Sequence, residues 1–286
     1  MIKMKKQLFL ALPVLIFLTA IITGCANNRE TTPEDLGWKL AYQSYTFRLF
    51  TFEEGLEKAS GLGLEYVEAY RGQELSLDNP EPTHYDSDDA TIREMEQLLE
   101  SHGIDLVAYG VVSADSEEEW KRIFDFARDM GVETITANPD PAHLDFLEQM
   151  CEDYEINLAI HNHPAPMRYY APDSVLMRVS GRSERIGACA DIGHWVRSGL
   201  DPLESIKKLE GRIISIHFKD LNEESRDAHD VPWGTGVVDM RGILQELKDQ
   251  EFRGVISIEY EHNWENNVPD IAESIANFRN IVADLD

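Results

Sequence analysis

Eight short apolar runs, separated by longer amphipathic segments, constrain this chain more than any other feature of its sequence. They lie at 40–43, 66–69, 105–109, 134–137, 158–161, 186–191, 213–218 and 255–259. Short runs rich in Val, Ile, Leu and Ala, alternating with segments that carry helix start and stop signals, read as strands alternating with helices. Thr51 with Glu54 and Ser116 with Glu119 are expected capping boxes, closed by Gly61 and Gly131. Further helices are expected from about Asp88 to His102-Gly103 and from near Asp173, Asp201, Asp239 and Asn267. Eight strand–helix units in about 250 residues, with no break in composition, match one α/β domain, a single (β/α)8 TIM barrel over residues 38–286. A doubly wound open sheet is the competitor. It would usually place a glycine-rich phosphate loop after the first strand, and Tyr42-Gln43-Ser44-Tyr45-Thr46 is not one.

The first 24 residues stand outside that pattern. Lys3, Lys5 and Lys6 precede an apolar stretch from Leu8 to Ile22, too short for a spanning helix and suited to an export signal. A plain N-terminal membrane anchor is the alternative. Ile22-Thr23-Gly24-Cys25 resembles the lipobox of bacterial lipoproteins. That resemblance implies cleavage before Cys25, lipidation of its thiol and a lipid-anchored place in the bacterial cell envelope. Residues 25–37 would then be a flexible tether, polar and interrupted by Pro33.

Charge excludes one class of partner. The chain has 53 acidic and 26 basic residues, a net charge of −27, and loss of the signal's three lysines takes it to −30. DNA and RNA binding need clustered Lys and Arg to neutralise phosphates, so no nucleic-acid partner is expected. A composition 43% hydrophobic and 9% aromatic is too apolar for disorder. With Cys25 lipidated, Cys151 and Cys189 remain; both are expected to be buried free thiols, a disulfide being the other option.

The nine histidines are unevenly placed. His84, His102, His143 and His229 read as solvated or helix-end groups. His161, His163, His194, His217 and His262 fall at or just after predicted strand ends, the edge where a barrel carries its chemistry. Four strand ends in succession carry ligand-type side chains: His161 in Ala-Ile-His-Asn-His-Pro, Asp191 in Ala-Asp-Ile-Gly-His-Trp, His217 in Ser-Ile-His-Phe-Lys-Asp and Glu259 in Ser-Ile-Glu-Tyr-Glu. Any one of them alone would be an ordinary hydrogen-bonded buried group. Four together would each need a separate partner, whereas one cation satisfies all. Two imidazoles and two carboxylates suit Mn²⁺ or Zn²⁺ first, with Co²⁺, Fe²⁺ or Mg²⁺ open, more than Ca²⁺.

Asp-x-x-His, His-x-Lys-Asp and Glu-x-Glu at these strand ends, with Val231-Pro232-Trp233-Gly234-Thr235-Gly236-Val237-Val238-Asp239 between the last two, are similar to the xylose isomerase-like barrel superfamily, in its sugar phosphate isomerase/epimerase branch. The resemblance implies one divalent metal held by Glu, Asp, His and Glu, which map onto His161, Asp191, His217 and Glu259. It also implies that His194 contacts a substrate oxygen. Since His161 stands where that pattern has glutamate, a symmetric shuttle between two glutamates is not expected here.

The cation would stabilise an enediolate formed when a proton leaves the carbon beside a carbonyl. Glu259 is the first candidate base, then His163 and Glu261. Lys219, two residues after His217, would point the same way as a substrate contact or auxiliary charge, or would pair with Asp220 or Glu261. Glu68, Arg168, Trp195 and Trp233 are weaker substrate-binding candidates, each with a packing or ion-pair alternative. The Gly234-Thr235-Gly236 turn could approach a ligand closely. Reprotonation would make the enzyme an isomerase or epimerase; loss of a β-substituent would make it a lyase, as in 3-keto-glycoside lyases. An exported location favours a neutral sugar or keto-sugar. A sugar-binding lipoprotein without catalysis is the third expectation.

Overall fold

The computed structural model describes residues 30–285. The expected signal segment 1–24 and Cys25 lie outside them, and among the described residues no helix is long and apolar enough to cross a membrane. Eight parallel strands close into a barrel: β1 (Trp38–Gln43), β2 (Tyr66–Ala69), β3 (Asp105–Val112), β4 (Thr134–Ala137), β5 (Asn157–His161), β6 (Ile186–Asp191), β7 (Ile213–Phe218) and β10 (Gly254–Ile258). Their order around the barrel follows the sequence, and β1 closes on β10. Helices α1 (Phe52–Gly61), α2 (Asp89–His102), α3 (Glu117–Asp129), α4 (Leu144–Tyr154), α5 (Pro172–Val179), α6 (Ile192–Arg197), α7 (Pro202–Lys208), α8 (Met240–Asp249) and α9 (Val268–Ala283) complete the units. This is the expected closed ring, not an open sheet.

The local signals act largely as read. The Thr51 side chain accepts from the Glu54 N–H and Glu54 returns to the Thr51 N–H, a complete capping box. Ser116 caps α3, but Glu119 reaches the Asp115 N–H and the Tyr85 hydroxyl instead of closing the box. α1 ends at Gly61 as expected, with Leu62 as its cap, while the left-handed turn at φ +71° falls on Gly63. Residues 31–37, expected as part of the tether, include a 3-10 turn (Glu34–Leu36) whose preceding Pro33 carbonyl accepts from the Trp38 N–H.

Two departures matter for the site. A small hairpin, β8 (Asp220–Leu221) with β9 (Asp230–Val231), follows β7. Behind it, the Asp220 carboxylate accepts the backbone N–H groups of Leu221, Gly234, Gly236 and Val238 at 2.8–3.0 Å. The Gly234-Thr235-Gly236 turn therefore wraps a carboxylate of its own chain rather than approaching a ligand. A Cβ on Gly236 would lie 2.4 Å from Asp220 Oδ1, so the turn excludes any side chain there.

Candidate metal centre at the barrel mouth

Alternation along the strands points every second residue into the barrel. His161 ends β5, Asp191 ends β6, His217 lies near the end of β7, and Glu259 follows β10. One potential ligand atom from each lies within 4.8 Å of the other three, and all four residues are buried. The expected constellation is thus assembled from four adjacent strands.

The decisive polar atoms are on His161. The residue is 2% exposed, and neither ring nitrogen has a hydrogen-bond partner. Its Nε2 lies 3.4 Å from Asp191 Oδ2, a separation too long for a strong bond. A buried imidazole with two unpartnered nitrogens, facing a second imidazole and two carboxylates, fits a divalent cation with mixed N/O ligation.

The other three groups are held by charge. His217 sits between two carboxylates, with Nε2 2.9 Å from Glu68 Oε2 and Nδ1 3.1 Å from Glu259 Oε2. Burial opposes charge on this ring, but Cys189, Glu68 and Glu259 raise its pKa well above the ordinary value. Lys219 is fully buried, its Nζ 2.8 Å from Asp191 Oδ2, 2.6 Å from Glu259 Oε2 and 3.5 Å from Glu261 Oε2. Burial opposes ionisation of Asp191, yet His194 and the Lys219 ammonium hold its carboxyl well below the usual range. Burial likewise opposes charge on Glu259, and Lys219 with His217 outweighs it, so this carboxyl too stays ionised. Gly193 lets the lysine stem pass, since a Cβ there would lie 2.8 Å from Lys219 Cβ.

His194 is oriented by a residue absent from the expectations. Arg197 Nη1 lies 3.4 Å from His194 Nδ1, and a guanidinium can only donate, so Nδ1 accepts and Nε2 carries the proton. Burial pushes the pKa of this imidazole well below the usual value, against the pull of Asp191. Arg197 also donates to Asp230 Oδ1 at 2.7 Å and the Ala228 carbonyl at 3.2 Å, tying the hairpin to the site. His163 stacks on His194 with ring centroids 5.6 Å apart. Burial and the neighbouring His161 push its pKa down to about 4.

The mouth opens into a cavity of about 510 Å³ lined by Gln43, Tyr45, Tyr70, Arg71, Val111, His161, His163, Pro164, His194, Glu259 and Glu261, within the usual range for a small-molecule site. The base candidates Glu259, His163 and Glu261 and the candidate substrate contact His194 all line it. Four weaker candidates do not. Glu68 is fully buried beneath the site, bonding His217 and the Ser257 hydroxyl at 2.7 Å, so it supports a ligand rather than touching substrate. Trp233 packs among Phe218 and Phe278 in the core, and Trp195 is 1% exposed within α6. Arg168 pairs with Asp140 at the surface. His262 turns away to stack on His229, leaving four histidines at the site.

The aromatic groups that do line the cavity are Tyr45 and Tyr70, whose rings meet edge to face at 5.2 Å, with Trp264 against Tyr45 at 5.6 Å. Tyr70 follows β2 directly and Tyr45 lies two residues past β1, so the strand-end rule that found the histidines also points to them.

Comparison with known proteins now has a site to compare. Residues 56–281 match the family model described as xylose isomerase-like TIM barrel. The chain belongs to this family. An uncharacterised protein of Parabacteroides distasonis ATCC 8503 is 36% identical, covering 85% of this chain and 99% of its own, with a TM-score of 0.70. A D-tagatose 3-epimerase-like protein (19% identity, TM-score 0.66, 86% and 98% covered) shares the fold. So does the IolI protein with a bound zinc atom (16% identity, TM-score 0.66, 87% and 99% covered). Inosose dehydratase of Lacticaseibacillus casei is 28% identical over 96 residues, 28% of this chain and 32% of that protein. The chain thus matches only about a third of that curated relative's length. The family model thus sets the family, and the low-identity solved structures add that the barrel fold is shared.

Proposed function

We propose that this protein is a divalent-metal-dependent enzyme that removes a proton beside the carbonyl of a neutral keto-sugar or keto-cyclitol and expels a β-substituent. The observation that carries the metal reading is the pair of unpartnered, buried nitrogens on His161 facing Asp191, His217 and Glu259. When bound, the cation supplies Lewis-acid stabilisation of the developing enediolate charge.

The chain's own groups do the rest. His161, Asp191, His217 and Glu259 would hold the ion. Glu259, ionised and at the cavity wall, is placed to accept the proton directly or through one water, with His163 and Glu261 beside it. His194 presents its Nε2–H as a donor to a substrate oxygen. Arg71 is the only Arg or Lys among the residues lining the cavity, which supports a substrate without a phosphate.

Elimination is favoured over a symmetric epimerase because His161 replaces one of two expected glutamates, and because the curated relative is a dehydratase, an enzyme that removes water. The likeness to a D-tagatose 3-epimerase-like protein supports the second reading, isomerisation or epimerisation at the same site. Solvent-deuterium exchange followed by NMR over ketoses, inososes and 3-keto-glucosides decides. Exchange with loss of the β-substituent supports elimination, and exchange without loss supports the isomerase or epimerase. Binding with neither makes it a sugar-binding protein. Glu259→Gln should abolish turnover while sparing the fold, and wild-type activity in that variant would remove Glu259 from the mechanism.

We also propose that the enzyme is a lipid-anchored envelope protein. The supporting observation is Cys25 directly after a lysine-led apolar segment. Incorporation of labelled fatty acid that Cys25→Ser abolishes is the expected result.

A further inference from the structure

Cys189 lies two residues before Asp191 on β6, so alternation turns both side chains into the barrel. Strand register sets Cys189 beside His161 and Asp191 beside His217. On β6 the Asp191 carboxylate is thus nearer the mouth and the Cys189 thiol deeper, at the level where the buried Glu68 also meets His217 Nε2. His161, Cys189 and His217 each offer a ligand atom within 4.8 Å of the other two. Cys189 is fully buried and forms no disulfide. The unpartnered nitrogens of His161, 2% exposed, belong to this inner set as much as to the outer one.

We infer that the barrel holds a second, deeper cation position, His161–Cys189–His217, that takes thiophilic divalent ions such as Zn²⁺ or Cd²⁺, while Mn²⁺ and Mg²⁺ stay with the carboxylates. The inference rests on the metal reading proposed above. Thiolate and imidazole select soft ions, whereas carboxylates select hard ones, and the two sets share both imidazoles. One ion at a time can occupy them. Zinc bonds of about 2.3 Å to sulfur and 2.0 Å to nitrogen ask the ligand atoms to close to roughly 3.5 Å, an adjustment of about an ångström. On binding, the S–H bond breaks, the proton leaves to solvent, and a sulfur–metal bond forms with no change in oxidation state. The thiol would thus let the pocket sort metals by ligand softness at the two shared imidazoles.

The test uses the metal-free full-length chain. Cd²⁺ titration of the wild type should raise one equivalent of thiolate-to-metal charge-transfer absorption, lost in Cys189→Ser and retained in Cys151→Ser and Cys25→Ser. In chelator competition, Cys189→Ser should weaken Cd²⁺ about tenfold or more and leave Mn²⁺ within about twofold. If that variant does not fold, Cys189→Ala replaces it, and cadmium NMR of the wild type reports sulfur ligation without any substitution. Absence of the band, its survival in the Cys189 variants, or an equal loss for both ions overturns the inference. Mn²⁺ binding without a Cd²⁺–thiolate band overturns it and leaves the proposed function standing. Failure of Mn²⁺ to bind at all overturns both.

Discussion

Glu68 Oε2 lies 2.9 Å from His217 Nε2, deep inside the barrel and out of substrate's reach. Burial opposes charge on Glu68, but the adjacent His217 keeps its carboxyl below the ordinary pKa. The contact fixes Nε2 as the donor and leaves Nδ1 for a cation, the arrangement in which a carboxylate orients a metal-binding imidazole. Glu68→Gln should therefore weaken Mn²⁺ by about ten- to a hundredfold while far-ultraviolet circular dichroism stays unchanged. Calorimetric titration checks this, and unaltered affinity would leave Glu68 a packing group.

Lys219 is the only cation bridging Asp191 and Glu259 among the described residues. Lys219→Met removes the ammonium shared by two buried carboxylates, which should lower metal-free stability by about 3–5 kcal/mol. A divalent ion would restore that compensation. Thermal melts should consequently show Mn²⁺ raising the midpoint of the variant more than that of the wild type. Equal increments would mean that the ion does not sit between these carboxylates.

Asp230 carries a pH dependence of stability. Burial raises its pKa from 3.8 to about 6, against the pull of Lys219 and Arg197. The folded protein binds this proton more tightly than the unfolded chain does. The resulting stabilisation is complete below about pH 3.8 and is lost as pH rises through about 6. Stability of Asp230→Asn relative to wild type should accordingly increase between about pH 4 and 6 and then level off. Urea midpoints across that range check the slope, and a constant difference would contradict it.

Trp233 and Tyr70 should behave oppositely. Trp233→Ala opens a hole against Phe218 and Phe278 and should cost about 3–5 kcal/mol of stability, with KM unchanged in whatever protein folds. Tyr70→Ala, at the cavity wall, should raise KM with a stability change of about 1 kcal/mol or less. Melting curves and steady-state kinetics on the same preparations separate the two roles.

Periodicity alone placed all eight barrel strands, because each is a local run of inward and outward residues between turn signals. It also placed His161, Asp191, His217 and Glu259 at the mouth, since a side chain ending a barrel strand has one edge to occupy. Depth and partnership were not legible in that way. Glu68 lies one residue before the end of its strand, close to where Asp191 ends its own, yet its partners His217 and Ser257 lie 149 and 189 residues away. Trp233 reads as an exposed loop aromatic until α9 brings Phe278 against it. For Lys219 the sequence leaves open a substrate contact, an auxiliary charge or a pair with Asp220 or Glu261; Asp220 is taken by four backbone N–H groups, and the ammonium turns to Asp191 and Glu259, with Glu261 at 3.5 Å. Sequence thus determined the ring and its ligand types, which depend on short-range alternation. Only closure of the barrel, which brings distant residues within hydrogen-bonding reach, decided which of them gather at the mouth, which lie beneath it and which merely pack.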